Sequence, residues 1–272
     1  MYYNKCKLNY INYDFIINDK PFMIGRIGNV EGSSLLDKPN KQLWTNAGLY
    51  GDYNSYLDWK KLYIESIKEC DVLSYVYTCP SFYIAVGDTL TSLGIYKPMI
   101  PYFEWAEYYL KFFEILSKKN KKIGIISSFY RDIIEQVKKI TLIYPDFPDI
   151  NPDLFVVVES YNTNNNNVPE GHTGFNYTLQ DLATRVLEHD DVDFWFVSCG
   201  CYGMPLQAIL KNANKNSMYV GGLIQILFGI MGKRWENRPE VMNHLSIHWK
   251  TIEYLDVKTM GNLAKIENGC YL

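Results

Sequence analysis

The sequence predicts an α/β fold: a Rossmann-like open, mostly parallel sheet with helices on both faces. Three observations carry this expectation. Short apolar runs bounded by turn residues alternate with longer stretches whose apolar residues recur at helical spacing. The short runs are apolar at nearly every position, as strands covered on both faces are. The two kinds of segment follow each other in turn, which is the order that builds a parallel sheet.

The first strand falls at 22–27, where Phe22, Met23 and Ile24 run into Gly25, Arg26 and Ile27. Further strands are expected at 72–77, 122–127, 154–158, 193–198 and 217–222. Helical stripes lie between them: Tyr56, Trp59, Tyr63, Ile67 and Cys70; then Trp105, Tyr109, Phe112 and Leu116; then Leu179, Leu182 and Val186; then Leu206, Ile209, Leu210 and Ala213. Stripes of this kind are the core faces of amphipathic helices. The asparagine run at 162–167 reads as a solvated loop. No repeat and no Pro/Gly/Ser linker divides the chain, so residues 1–272 read as a single domain.

Composition narrows the function. Hydrophobic residues make up 47% and charged residues 21%, the balance of a soluble globular protein. A formal net charge of −3 argues against a nucleic-acid partner held by general phosphate attraction, while leaving room for a local basic pocket. No apolar run approaches the roughly 20 residues of a membrane span, and residues 1–21 lack the apolar core of a signal peptide. A cytoplasmic location follows as the expectation, in a bacterium or, for a viral protein, in its host. The cysteines are Cys6, Cys70, Cys79, Cys199, Cys201 and Cys270. None forms C-x-x-C, and they read as reduced thiols acting mostly as small core residues.

In open parallel sheets, ligands bind beyond the carboxyl ends of the strands, which selects four loops. The first is Gly25 to Glu31. Arg26 can hold a phosphate or carboxylate through a bidentate pair. Asn29 and Glu31 share a face in extended chain, and Glu31 can ligate Mn2+ or Mg2+, ions that favour oxygen donors. Alternatively, this is a tight turn in which Glu31 pairs with Arg26 or caps the next helix. The second loop holds Ser127, Ser128, Phe129 and Asp132 before a helix; its free N–H groups suit an anion or plain capping. The third holds Ser198, Cys199, Gly200, Cys201, Tyr202 and Gly203, where glycines permit close backbone approach to a nucleotide or simply form a crossover turn. A catalytic cysteine finds no activating histidine nearby. The fourth runs from Gly221 to Trp235 and carries the basic pair Lys233 and Arg234, which either neutralises phosphate or ends a helix in solvent.

Taken together, these stretches resemble bacterial and viral glycosyltransferases of the GT-D fold. The resemblance is patchy but runs through most of the chain, and order and spacing carry it rather than any single motif. In that family a first strand ends in Arg-aromatic-Gly-Asp-x-Glu; here Arg26, Ile27, Gly28, Asn29, Val30 and Glu31 stand in those places. A Ser/Pro-Phe loop is matched by Ser127, Ser128 and Phe129, and a Gly-rich turn by Ser198 to Gly203. A Gly/Leu/Gln segment leading to a basic Gly-Lys-Arg-Trp is matched by Gly221 to Gln225 and by Gly232 to Trp235. The tail at 267–272 also looks like the ending of such chains.

The resemblance implies an enzyme that moves a sugar from a nucleoside-diphosphate sugar to a glycan or other hydroxyl acceptor, with Mn2+ or Mg2+ near the Asp-x-Glu carboxylates. It makes Glu31, Asn29 and Asp132 the candidate catalytic residues and Glu31 the candidate metal ligand. Arg26, Gly28, Ser127, Ser128, Phe129, Gly200, Gly203, Lys233 and Arg234 become the candidate donor or phosphate contacts. The departure is Asn29, which removes a charge where the family has Asp. Either metal affinity is lower, or Glu31 and the donor phosphates suffice, or the protein needs no metal and uses Lys233 and Arg234. Asp88 is a further carboxylate near a loop. A nucleotide- or glycan-binding protein without catalysis, and a Rossmann-like methyltransferase or nucleotide hydrolase, are the alternatives.

Overall fold

The computed structural model describes residues 20–36, 39–75, 80–101, 106–164 and 167–253. The strands are β1 (Met23–Arg26), β2 (Val72–Tyr75), β3 (Met99–Pro101), β4 (Ile123–Ser127), β5 (Phe155–Glu159), β6 (Phe194–Ser198) and β7 (Asn216–Tyr219), followed by the short β8 (Ile230–Met231) and β9 (Lys250–Thr251). The helices are α1 (Asn29–Leu36), α2 (Gln42–Thr45), α3 (Tyr53–Glu69), α4 (Pro80–Ser92), α5 (Ala106–Lys118), α6 (Tyr130–Val137), α7 (Ile140–Ile143), α8 (Phe175–Leu187), α9 (Gly203–Asn212), α10 (Ile224–Leu227) and α11 (Pro239–Met242).

Seven strands form one sheet in the order β3-β2-β1-β7-β6-β4-β5, and every neighbouring pair is parallel. β8 and β9 pair separately. The open α/β class read from the sequence is the observed one. Strand ends shift by one to three residues: 154–158 becomes Phe155–Glu159 after a 3-10 turn, and 217–222 becomes Asn216–Tyr219 before another. β3 and α4 had no assignment in the sequence. β3 is only three residues long and ends in proline, so it gives little periodicity to read. Positions 76–77, Trp105, Cys6, Cys79, Cys270 and the tail 267–272 lie outside the described residues.

The inner strands β4 and β6 are apolar nearly throughout because both faces are covered. In β6, Phe194 and Phe196 enter one hydrophobic cluster with Phe112, Phe113 and Ile133, while Trp195 and Val197 enter the other with Trp59, Leu182 and Leu206. Next to Trp195 stands Gly124 of β4, where a Cβ would lie 2.2 Å from the indole; the glycine makes room for one of the two fully buried tryptophans among the described residues. The helical stripe of α3 is buried from Tyr56 to Ile67, and its Asp52 cap accepts from Ser55 N at 3.1 Å. Capping satisfies a donor that the first helical turn leaves open.

Register places the site. Ser127 of β4 stands beside Ser198 of β6 and Glu159 of β5, so three strands end level. Val197 pairs with Tyr219 and Ile24 with Met218, which brings the ends of β7 and β1 to the same edge. Among the described residues, no helix is long and apolar enough to cross a membrane.

Candidate functional site

A cleft of about 290 Å3 opens along that edge, lined from the ends of β1, β7, β6, β4 and β5. Arg26, Gly28, Asn29 and Glu31 line it from the β1–α1 turn, Ser128 and Phe129 from beyond β4, Gly200 from beyond β6, and Gly221, Gly222 and Arg234 from beyond β7. The structure therefore brings together most of the residues selected from the four loops. It sits where a switch-point ligand site is expected.

Arg26 leaves β1 and crosses toward β7. Its Nη1 is 3.5 Å from Val220 O, and its guanidinium lies 5.7 Å from the centroid of the Tyr219 ring. A Cβ at Gly221 would sit 2.4 Å from that Nη1, and Gly221 has φ +60°, so this position needs glycine on both counts. The next residue repeats the arrangement. A Cβ at Gly222 would sit 2.1 Å from Arg234 Nη1, and the Arg234 guanidinium lies 5.6 Å from the Trp235 ring. Trp235 in turn donates from Nε1 to Gln225 Oε1 at 3.3 Å. Two guanidinium groups thus rest on two successive glycines at one end of the cleft.

Among the described residues that line the cleft, Glu31 is the other charged one. It lies in the first turn of α1 with its carboxylate folded over Gly28, where a Cβ would meet Oε2 at 2.2 Å. Burial pushes its carboxyl up from the ordinary value, against the opposing pull of its own N–H and of Arg26. This is close to the helix-capping alternative read from the sequence, and it keeps a desolvated carboxyl at the cleft wall.

The remaining walls are tied to one another. Gly200, at φ +55°, brings the backbone against Ala47, and Cys201 N donates to Ala47 O at 2.8 Å. Thr163 Oγ1 donates to Gly48 O at 2.6 Å, and Asn164 Nδ2 donates to Asn46 O. Ser198 Oγ donates to Gly221 O at 2.9 Å, and Tyr219 OH to Gly200 O at 3.2 Å. Tyr161 OH donates to Asp181 Oδ2 at 2.5 Å beneath the Arg185 guanidinium, which lies 4.4 Å from its ring. Burial and Asp181 push that hydroxyl up to about 12. Ser160 lines the cleft at 1% exposure, and its buried Oγ has no hydrogen-bond partner among the described residues.

Five candidates stand apart from the cleft lining. Ser127 is fully buried and accepts from Phe129 N at 3.2 Å, shaping the loop that presents Ser128 and Phe129. At Gly203 a Cβ would strike the Tyr219 ring at 2.1 Å, so the glycine seats that ring instead of meeting a ligand. Lys233 is exposed beside the cleft. Asp132 is buried and bound to Lys250 Nζ at 3.0 Å, in a group with Glu135 and Glu253 that ties α6 to β9. Asp88 is exposed on α4. Burial pushes the thiols of Cys199 and Cys201 up, away from the reactive thiolate.

The loop after β5 escaped the sequence reading. Ser160, Tyr161, Asn162, Thr163 and Asn164 line the cleft, as do Asn46 and Ala47. The expected solvated run at 162–167 has a buried Thr163 at 3% exposure because it fastens the 46–48 segment. The available signal was the strand-end rule itself, which applies to β5 as much as to β4 or β6.

For Mn2+ or Mg2+ the donor set is thin. Glu31 is the one carboxylate among the described residues that line the cleft, and its oxygen lies folded against Gly28. Among the described residues no group of three or more His, Cys, Asp or Glu could hold a metal ion. These residues do not fit a divalent ion held by the protein itself, which takes several oxygen donors.

No family model, no curated protein and no solved structure matches this chain.

Proposed function

We propose that this protein is a glycosyltransferase that moves a sugar from a nucleoside-diphosphate sugar to a hydroxyl of a glycan or other acceptor. The observation that carries the reading is the pair of guanidinium groups seated on Gly221 and Gly222 in a cleft at the ends of five parallel strands. The bond between the anomeric carbon and the terminal phosphate oxygen breaks, and its electron pair leaves with the nucleoside diphosphate. The acceptor oxygen bonds to the anomeric carbon and gives up its proton.

Charge grows on the departing diphosphate as that bond opens, and fixed donors at that point lower the barrier. Arg26 and Arg234 supply them. In an inverting transfer Glu31 is the group to receive the acceptor's proton. Burial raises its proton affinity, which makes it a stronger base than a solvated carboxylate. Asn29 and the asparagines and hydroxyls after β5 are neutral donors and acceptors of the kind that grip sugar hydroxyls.

The test is a thermal-shift screen with UDP-, GDP- and dTDP-sugars, followed by measurement of nucleoside diphosphate released from the donor that binds. At least one donor should raise Tm, and Glu31→Ala should abolish release while leaving binding. If no donor of the series binds, the reading fails. Asn29 in the position of an Asp favours a second reading, nucleotide or glycan binding without transfer; tight binding with no release of diphosphate in any acceptor mixture would select it.

A further inference from the structure

We infer that the cleft holds a diphosphate through the Arg26 and Arg234 guanidinium groups alone, with no divalent metal. The inference rests on the nucleotide-sugar reading for the identity of the ligand. Its grounds are geometric. The seats of the two guanidinium groups are adjacent residues, whose Cα atoms are about 3.8 Å apart. Two phosphoryl groups joined through one oxygen offer a set of oxygens to each guanidinium. Each guanidinium is a planar fork that can donate two parallel hydrogen bonds to phosphate oxygens. Each also has an aromatic ring beside it, Tyr219 for Arg26 and Trp235 for Arg234, and a glycine in place of a side chain beneath it.

A second, independent feature also points to a ligand. Ser160 Oγ is buried at the cleft wall with no hydrogen-bond partner among the described residues, and a buried hydroxyl in that state costs free energy until something fills its valence. With the carboxylate of Glu31 turned onto Gly28, the arginine pair does the neutralising that a metal ion would otherwise do.

The test uses the full chain and four probes: UDP, GDP, dTDP and inorganic pyrophosphate, titrated by calorimetry in EDTA and again in Mn2+. A diphosphate should bind in EDTA with an affinity close to that in Mn2+. Arg26→Met and Arg234→Met, which keep an apolar stem, should each weaken it about 10- to 100-fold. Arg→Lys at either place should recover only part, since a point charge lacks the fork. Glu31→Gln should leave binding unchanged or tighter, whereas loss of a metal ligand weakens it. Circular dichroism of each variant separates lost binding from lost fold, and Gly222→Ala supplies a variant that shifts Arg234 without removing it. Binding that requires Mn2+ and falls in Glu31→Gln overturns the inference and leaves the donor reading standing. Binding in EDTA that ignores both Arg→Met variants also overturns it. Pyrophosphate bound without any nucleoside diphosphate supports the arginine pair while removing the nucleotide-sugar reading. If no probe binds in either buffer, both fall.

Discussion

Replacing Gly222 with alanine moves one guanidinium and almost nothing else. Among the described residues, a Cβ at this position meets only Arg234 within 4 Å, with Nη1 at 2.1 Å and Cζ at 3.4 Å. Ordinary contact begins at 3.4 Å, so the guanidinium nitrogen must retreat by about 1.3 Å, the difference between those two distances. The far end of an arginine moves easily, and Gly222 is not among the glycines with positive φ, so the backbone accepts alanine. Stability should therefore stay within about 0.5 kcal/mol, or gain slightly from the stiffer unfolded chain. That is a Tm within about 2 °C of the parent. Binding should suffer out of proportion. Loss of one hydrogen bond between charged partners is worth about 1.5–3 kcal/mol, or roughly 10- to 150-fold in Kd. The assay pairs differential scanning calorimetry with titration of the best nucleoside diphosphate. A fall in Tm of several degrees would show that the glycine serves the backbone. An unchanged Kd with unchanged Tm would show that Arg234 does not touch the ligand, and the reasoning about its seat would be wrong.

Three further outcomes follow from other groups. Lys250→Met should strand the buried Asp132 carboxylate and cost about 3–5 kcal/mol, with the double change Lys250→Met/Asp132→Asn recovering most of it by urea unfolding; a cost below about 1 kcal/mol would mean the pair behaves like a surface one. Glu31→Gln should stabilise the protein at neutral pH. The folded carboxyl titrates above its unfolded value of 4.5, so the wild type loses stability as pH rises from there through the raised value, and the glutamine variant does not; melting curves that keep a constant gap from acid to neutral pH would refute this. Ser160→Ala removes a hydroxyl that has no partner among the described residues and should leave Tm level or higher while weakening ligand binding, whereas a clear drop in Tm would mean that Ser160 Oγ holds the fold together.

The sheet was legible because its strands are covered on both faces. Phe194, Trp195, Phe196 and Val197 read as one apolar run in the sequence, and the structure divides them between two clusters. The α3 stripe was legible for the same reason, since Trp59 and Tyr63 keep helical spacing and are fully buried. What sequence could not supply was partnership at long range. Asp132 looked like a free acid at a strand end because Lys250 lies far along the chain. Gly203 looked like a phosphate cradle because the ring it accommodates, Tyr219, comes from the next strand. Lys233 and Arg234 are adjacent and alike, yet only Arg234 lines the cleft, and that is fixed by the turn after β8 rather than by residue type. The asparagine run misled through composition: polar residues signal solvent until one of them, Thr163, finds a carbonyl to fasten.

The central position of β1 also bears on how the chain is made. This strand emerges first of the seven, but its neighbour β7 comes almost two hundred residues later, and Arg26 meets Val220 across a separation of 194. At ordinary ribosomal speeds of about 5–20 residues per second, that wait lasts roughly 10–40 s. Throughout it, one edge of a hydrophobic strand has backbone donors and acceptors open to any passing chain. Newborn protein should therefore be at its most vulnerable to aggregation late in translation, and slow, chaperone-assisted expression should improve its yield more than any change to the finished surface.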